Sequence, residues 1–164
     1  MRSLRRVLMM NRMYQATRSA RSTFVTLRDW RYHLLEWGER SADRPPLVLV
    51  HGWMDVAASW QFMVDALAQE RWIIAPDWRG YGLTTGPGPR PDAYWFPDYL
   101  GDLDALLDTI SPEQPVDLVG HSMGGNVAMM YAGVRPQRIR RLVNLEGFGL
   151  PATRPAQAPG RLAE

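Results

Sequence analysis

Three short apolar segments, each followed at once by a glycine-containing loop, constrain the fold of this 164-residue chain more than any other feature. They lie within Pro45–Gly52, Trp72–Gly82 and Val116–Gly124. A short, mostly apolar run that stops at glycine is typical of a strand that is buried on both faces of a parallel sheet. The chain is therefore expected to build a sheet whose strands are covered on both sides.

Segments with apolar residues at helical spacing follow each of these strands, and further strand patterns stand at both ends. The helical segments are Asp55–Glu70, the later part of Tyr94–Ile110, and Gly124–Pro136; the further strands are Thr23–Leu27, Tyr32–Trp37 and Ile139–Gly147. Alternating strands and helices predict an α/β fold, with a mostly parallel sheet flanked by helices and right-handed crossovers. The opening hairpin predicts one antiparallel strand at the start.

Positive charge is concentrated at the beginning of the chain. Residues 1–28 contain seven Arg and no acidic residue, whereas residues 29–164 contain 12 Arg and 17 acidic residues and so carry −5. The chain as a whole has a basic isoelectric point, but this is mostly due to the leading segment. It therefore gives no reason to expect nucleic-acid binding by the rest of the chain. Three interpretations of residues 1–22 stay open: a disordered tail or misassigned start, an ordered helix, or an organelle presequence.

Two absences from the sequence exclude whole classes of protein. The chain has no Cys, which excludes disulfides, thiolate metal sites and a Cys nucleophile. No apolar run approaches the roughly 18 residues that a transmembrane helix needs. No cluster of metal-ligating residues stands out, so we expect neither a metal nor an organic cofactor. We expect a cytoplasmic protein without a membrane span, unless the Arg-rich leader is a presequence.

The loop Gly120–Gly124 has the pattern G-x-S-x-G between a predicted strand and a predicted helix. That context is the one in which the pattern exposes a nucleophilic serine. A sharp strand-to-helix turn places Ser122 at its apex, and the crowded backbone of such a turn requires glycine on either side. The start of the following helix directs the Met123 N–H towards an oxyanion formed on an attacked acyl carbon. The Trp53 N–H, in the loop after the neighbouring strand, is the natural second donor.

Three motifs together resemble the N-terminal part of an α/β-hydrolase fold protein. They are VLVHGW, PDWRGYG and LVGHSMGGNVA, in this order and at this spacing. The resemblance covers Phe24 to Gly149. It implies an N-terminal extension over 1–22, the first part of a hydrolase domain over 23–149, and the start of a lid region or a loose tail over 150–164.

The resemblance also implies roles for the motif residues. Ser122 matches the nucleophile, and the amides of Trp53 and Met123 match the oxyanion hole. Epoxide hydrolases and haloalkane dehalogenases of the family have Asp at the nucleophile position, so a serine there favours ester-type hydrolysis. The remaining motif residues match structural positions: His51, Gly52, Asp77, Arg79, Gly120, His121 and Gly124.

The general base that Ser122 needs is not evident in the sequence. The family's order is Ser, then acid, then His, and a serine hydroxyl is a weak nucleophile without an adjacent base. His33, His51 and His121 all precede Ser122, and none is well suited to be its base. Glu146, 24 residues beyond Ser122, stands where a minority of the family has its catalytic acid. The alternative is a carboxylate that holds a loop.

Two hypotheses of function stay open. In the first, the sequence is the N-terminal part of a serine hydrolase that acts on a small carboxylic ester or similar acyl substrate, with its histidine beyond Glu164. The same triad would serve a perhydrolase or a C–C bond hydrolase. In the second, the chain is a catalytically inactive binding or interaction protein, or a relic. A sheet that lacks its last strands leaves an open apolar edge, which predicts self-association.

Overall fold

The computed structural model describes residues 14–89, 93–148, 154 and 156. Within these residues, six strands form one sheet in the order β1-β2-β4-β3-β5-β6. The strands are β1 (Arg21–Leu27), β2 (Trp30–Trp37), β3 (Leu47–Val50), β4 (Ile73–Pro76), β5 (Val116–His121) and β6 (Ile139–Leu145). Strand β2 is antiparallel to β1 and β4, whereas β3 is parallel to β4 and β5, and β5 to β6. The predicted α/β fold with a mostly parallel sheet is confirmed.

In the described part of the chain, three α-helices and two short 3-10 helices connect the later strands. They are α1 (Gln61–Ala66), α2 (Phe96–Ile110) and α3 (Met123–Val134), with 3-10 turns at Ala57–Trp60 and Pro136–Arg138. The buried apolar residues of β3, β4 and β5 point alternately to two clusters, one with α2 and α3 and the other with α1. Burial on both faces explains why these strands are nearly continuous apolar runs.

The helix predicted over Asp55–Glu70 is much shorter in the structure. The chain is 3-10 before Gln61 and becomes extended at Leu67, whose φ and ψ are −69° and 127°. The guanidinium of Arg18 donates to the carbonyl of Leu67 at 2.7 Å, so this carbonyl is satisfied outside a helix. Arg18 thus binds the chain at the point where it leaves the helix, although the apolar periodicity continues beyond it.

The opening hairpin turns over two residues, fewer than the four predicted. Arg28 and Asp29 have φ values of 46° and 69°, as a type I′ turn requires, and Leu27 pairs directly with Trp30. Strand β1 begins at Arg21, inside the predicted N-terminal extension, and the amides of Thr17 and Arg18 donate to Asp65 of α1. Residues 1–13 of that extension and most of the predicted tail 150–164 lie outside the described residues.

Strand β6 is the last strand of the described part of the sheet and is largely exposed. Leu142, Val143 and Leu145 are 37–47% exposed. The self-association expected from this edge stays a prediction. No helix among the described residues is long and apolar enough to cross a membrane.

Candidate active site

Ser122 lies at the sharp turn between β5 and α3. Its φ of 50° and ψ of −115° are unusual for a residue with a side chain, and it is partly buried. Its N–H donates to the carbonyl of Leu145 at 2.9 Å, and its own carbonyl accepts the N–H of Asn126 at 3.0 Å. The turn is therefore tied both to the end of β6 and to the first turn of α3.

The glycines on either side of Ser122 lie in close backbone contact with their surroundings. A Cβ on Gly124 would overlap the carbonyl oxygen of Val50 and lie 2.5 Å from that of His51. A Cβ on Gly120 would lie 2.7 Å from the Cα of Gly125. Because these neighbours are backbone atoms that cannot move aside, only glycine fits at either position. The strained conformation of the turn is thus fixed by packing against β3 and α3.

The loop after β3 touches the Ser122 turn. A Cβ on Gly52 would lie 3.1 Å from the Cβ of Ser122 and 3.1 Å from Nδ1 of His121. The next residue, Trp53, is largely exposed. The loop that bears Trp53 and the turn at Ser122 are therefore neighbours.

Both ring nitrogens of His51 are occupied. Nδ1 is 2.7 Å from the carbonyl of Gly52 and donates to it, and Nε2 accepts the N–H of Trp78 at 3.0 Å. The indole of Trp78 in turn donates to the carbonyl of His51. Burial lowers the pKa of His51, in keeping with a neutral ring. His51 therefore links the loops after β3 and β4 and has no free nitrogen for Ser122.

The carboxylate of Asp77, after β4, binds three donors. It accepts the amides of Ala57 and Leu83 and bonds Nδ1 of His33, all at 2.8 Å. Burial alone would raise its pKa, but these hydrogen bonds outweigh burial and hold the pKa of Asp77 below its usual range. The ionised carboxylate of Asp77 thus links the opening hairpin to the segments that follow β3 and β4.

Arg79 is anchored to α2 by a buried ion pair. Its guanidinium contacts the carboxylate of Asp102 at 2.5 and 2.6 Å, and the hydroxyl of Tyr32 donates to the same carboxylate. Arg79 and Asp102 are only 7% and 1% exposed. Sequence analysis did not single out Asp102. A signal was available in the sequence. Asp102 is a carboxylate three residues after Tyr99 and three and four residues before apolar residues, a spacing that places it on the buried face of α2.

Glu146 follows β6 directly and has a φ of 60°. It is exposed, and the carbonyl of the preceding Leu145 is the group that binds the Ser122 amide. The side chain of Asn144 closes the turn around it by bonding both the N–H and the carbonyl of Gly147, at 2.7 and 2.8 Å. Asn144 was missed by sequence analysis, and the structure shows that it shapes the turn that presents Glu146.

None of the three histidines is hydrogen-bonded to Ser122 in the described part of the chain. His33 bonds Asp77 through Nδ1 and the hydroxyl of Ser22 through Nε2. Over residues 14–89 and 93–148, no group of three or more His, Cys, Asp or Glu residues is arranged to hold a metal ion. The candidate site as described therefore consists of Ser122, the backbone amides around it and the turn at Glu146.

Comparison with known proteins gives the family. Residues 45–164 match the model of the alpha/beta hydrolase fold family, and the chain belongs to this family. The resemblance drawn from the three motifs is confirmed. Membership supports a hydrolase function.

Relatives of the chain differ in their reactions. The chain is 39% identical over 116 residues to a cis-3-alkyl-4-alkyloxetan-2-one decarboxylase of Shewanella oneidensis, covering 67% of this chain and 35% of that protein. It is 34% identical over 119 residues to a serine hydrolase-like protein of Danio rerio, covering 71% and 35%. An epoxide hydrolase from Solanum tuberosum superposes with a TM-score of 0.73 at 30% identity, covering 88% of this chain and 46% of that one. The chain spans about a third of the length of the two curated relatives.

Proposed function

We propose that Ser122 is the nucleophile of a serine hydrolase that cleaves a carboxylic ester or similar acyl compound of small size. The observation that carries the proposal is the conformation of Ser122, which is held with positive φ between β5 and α3 by glycine contacts on both sides. A strained, over-determined residue of this kind is common at functional sites. A hydroxyl at this apex favours an acyl-enzyme intermediate, in which Ser122 is esterified.

The oxyanion of the reaction is proposed to bind two backbone amides. Met123 is the first residue of α3, so its N–H has no acceptor within the helix and lies at the positive end of the helix dipole. Trp53 follows Gly52, which packs against Ser122. In the proposed step the Oγ of Ser122 attacks the acyl carbon, and the negative charge that develops on the carbonyl oxygen is stabilised by the amides of Met123 and Trp53.

The proton of Ser122 requires an acceptor, and no histidine among the described residues is hydrogen-bonded to this serine. His33 and His51 have both nitrogens engaged. Since the chain spans about a third of the length of its curated relatives, we propose that the base is a histidine of the whole protein beyond this chain. Glu146, presented beside the Ser122 turn, is proposed as the acid that orients it. The alcohol leaves with the proton, and water then hydrolyses the acyl-enzyme.

A single introduced thiol tests the electrostatic part of this proposal on the chain itself. The chain contains no Cys, so Ser122→Cys creates its one thiol. The amides and dipole at the start of α3 are expected to lower the pKa of that thiol below about 8.5 and to speed its alkylation by iodoacetamide at pH 7 at least about fivefold. The comparison is with Thr109→Cys, an exposed position in the last turn of α2.

The rate of alkylation against pH gives both thiol pKa values. A lower pKa for the thiol at position 122 supports an activated site. Equal pKa values for the two variants, in chains with unchanged circular dichroism, would contradict it. Thr109 serves as the control because a helix C-terminus carries the opposite end of the dipole.

A further inference from the structure

A second serine, Ser22, forms a hydrogen-bonded series with the imidazole of His33 and the carboxylate of Asp77. The Oγ of Ser22 is 2.8 Å from Nε2 of His33, and Nδ1 of His33 is 2.8 Å from the carboxylate of Asp77. Ser22 lies on β1, whereas Ser122 follows β5, and the strands β2, β4 and β3 lie between these two. The series is therefore separate from the Ser122 turn.

The other bonds of Asp77 determine which nitrogen of a neutral His33 ring carries the proton. Its carboxylate accepts the amides of Ala57 and Leu83, as an ionised acceptor does. Nδ1 of His33 must then carry the proton that it shares with Asp77. In a neutral imidazole, Nε2 is consequently the acceptor, and the hydroxyl of Ser22 donates to it. The Ser22 proton thus points at a base, and its oxygen lone pairs stay free.

In this series the imidazole and the carboxylate are buried and the hydroxyl is exposed, an arrangement that suits nucleophilic chemistry. His33 and Asp77 are 5% and 3% exposed, so the base and the group that orients it are shielded from water. Ser22 is exposed on the outermost strand of the sheet, where a small molecule can reach its hydroxyl. The neighbouring Thr23 offers a natural contrast, since its hydroxyl bonds the carboxylate of Glu36 and no imidazole.

We propose that Ser22 is a second covalent modification site, at which His33 acts as general base and Asp77 orients it. The ligand class is a reactive acyl or phosphonyl donor, such as an activated ester or a fluorophosphonate. With a fluorophosphonate, the Ser22 oxygen forms a bond to phosphorus, the phosphorus–fluorine bond breaks, fluoride leaves, and the Ser22 proton moves to Nε2 of His33. The product is one stable adduct on Ser22.

Peptide mapping after treatment with an ethoxy fluorophosphonate tests this proposal. Trypsin cleaves after Arg and releases Ser22 in Ser22–Arg28, separate from Gly80–Arg138, which contains Ser122. We expect an adduct on Ser22 in the unchanged chain and in Ser122→Ala, and none in Ser22→Ala. The matched control Thr23→Val, one residue away, should keep the adduct. His33→Gln should slow labelling at least about 100-fold, as loss of a general base does.

The labelling rates of folded variants separate a general base from a merely structural His33. No adduct on Ser22–Arg28 while chymotrypsin in the same solution is labelled would overturn the proposal. An unchanged rate in folded His33→Gln, or labelling no faster at Ser22 than at the exposed Ser59, would also overturn it. None of these outcomes depends on whether Ser122 reacts.

Discussion

Ester hydrolysis by the whole protein is expected to fall at least about 10⁴-fold in kcat when Ser122 is replaced by alanine. The substitution removes the oxygen that would form the acyl-enzyme but leaves the turn in place, because Gly120 and Gly124 set its conformation. Binding of the ester and the oxyanion amides would be retained, so KM should change little. Initial rates with p-nitrophenyl esters of short acids give both constants.

Ser59→Ala is the matched control for this prediction. Ser59 is an exposed serine whose hydroxyl donates to the carboxylate of Asp55, and it follows the loop that bears Trp53. Its replacement should leave kcat within about twofold, as expected of a surface change. If Ser122→Ala keeps more than a tenth of the activity, another residue carries the chemistry and the nucleophile is misassigned.

Loss of the buried carboxylate of Asp102 is expected to lower the free energy of unfolding by about 3–5 kcal/mol. Asp102→Ala leaves the buried guanidinium of Arg79 without its two short contacts and the hydroxyl of Tyr32 without its acceptor. The contact of Arg79 with Asp98 at 3.2 Å remains but involves a more exposed carboxylate. An uncompensated buried charge is the dominant cost of such a change. Urea unfolding followed by tryptophan fluorescence measures it.

Glu39→Ala provides the comparison for Asp102→Ala. Glu39 pairs with Arg21 at 3.3 Å on the surface, where both side chains are largely exposed. Its loss should cost less than about 0.5 kcal/mol, because exposed ion pairs are screened by water and salt. Similar losses for the two variants would show that the Arg79–Asp102 pair contributes no more than a surface pair, contrary to the structure.

The fold could be predicted from the sequence because its strongest signals are local. The runs Leu47–Val50 and Ile73–Pro76 are apolar since both of their faces are covered, and helical periodicity over 103–110 comes from the single apolar face of α2. The order of strands and helices then leaves few possible topologies. The Ser122 turn could also be predicted from a local signal. Its motif has glycine at the two positions where backbone contacts leave no room for a side chain.

Features that depend on contacts distant in sequence could not be predicted. At the early end of α1 the carbonyl of Leu67 is bound by Arg18, which lies about 50 residues earlier in the sequence. The partnership of Asp102 with Arg79 requires the loop after β4 to fold onto α2. The bond between Ser22 and His33 depends on the register of the β1–β2 hairpin, since the two residues are not direct partners. No pattern in a single sequence specifies such pairs.

Mass spectrometry of the whole protein after reaction with a fluorophosphonate tests the assignment of Ser122 most directly. The adduct is sought on the tryptic peptide Gly80–Arg138, which is distinct from the peptide that contains Ser22. We predict a phosphonyl group on Ser122 that is absent from Ser122→Ala, because the oxyanion amides and the base act on the attached phosphonyl oxygen and the serine proton. An unlabelled Ser122 in a folded protein, beside fully labelled chymotrypsin, would contradict a nucleophilic role and favour a binding protein built on the same fold.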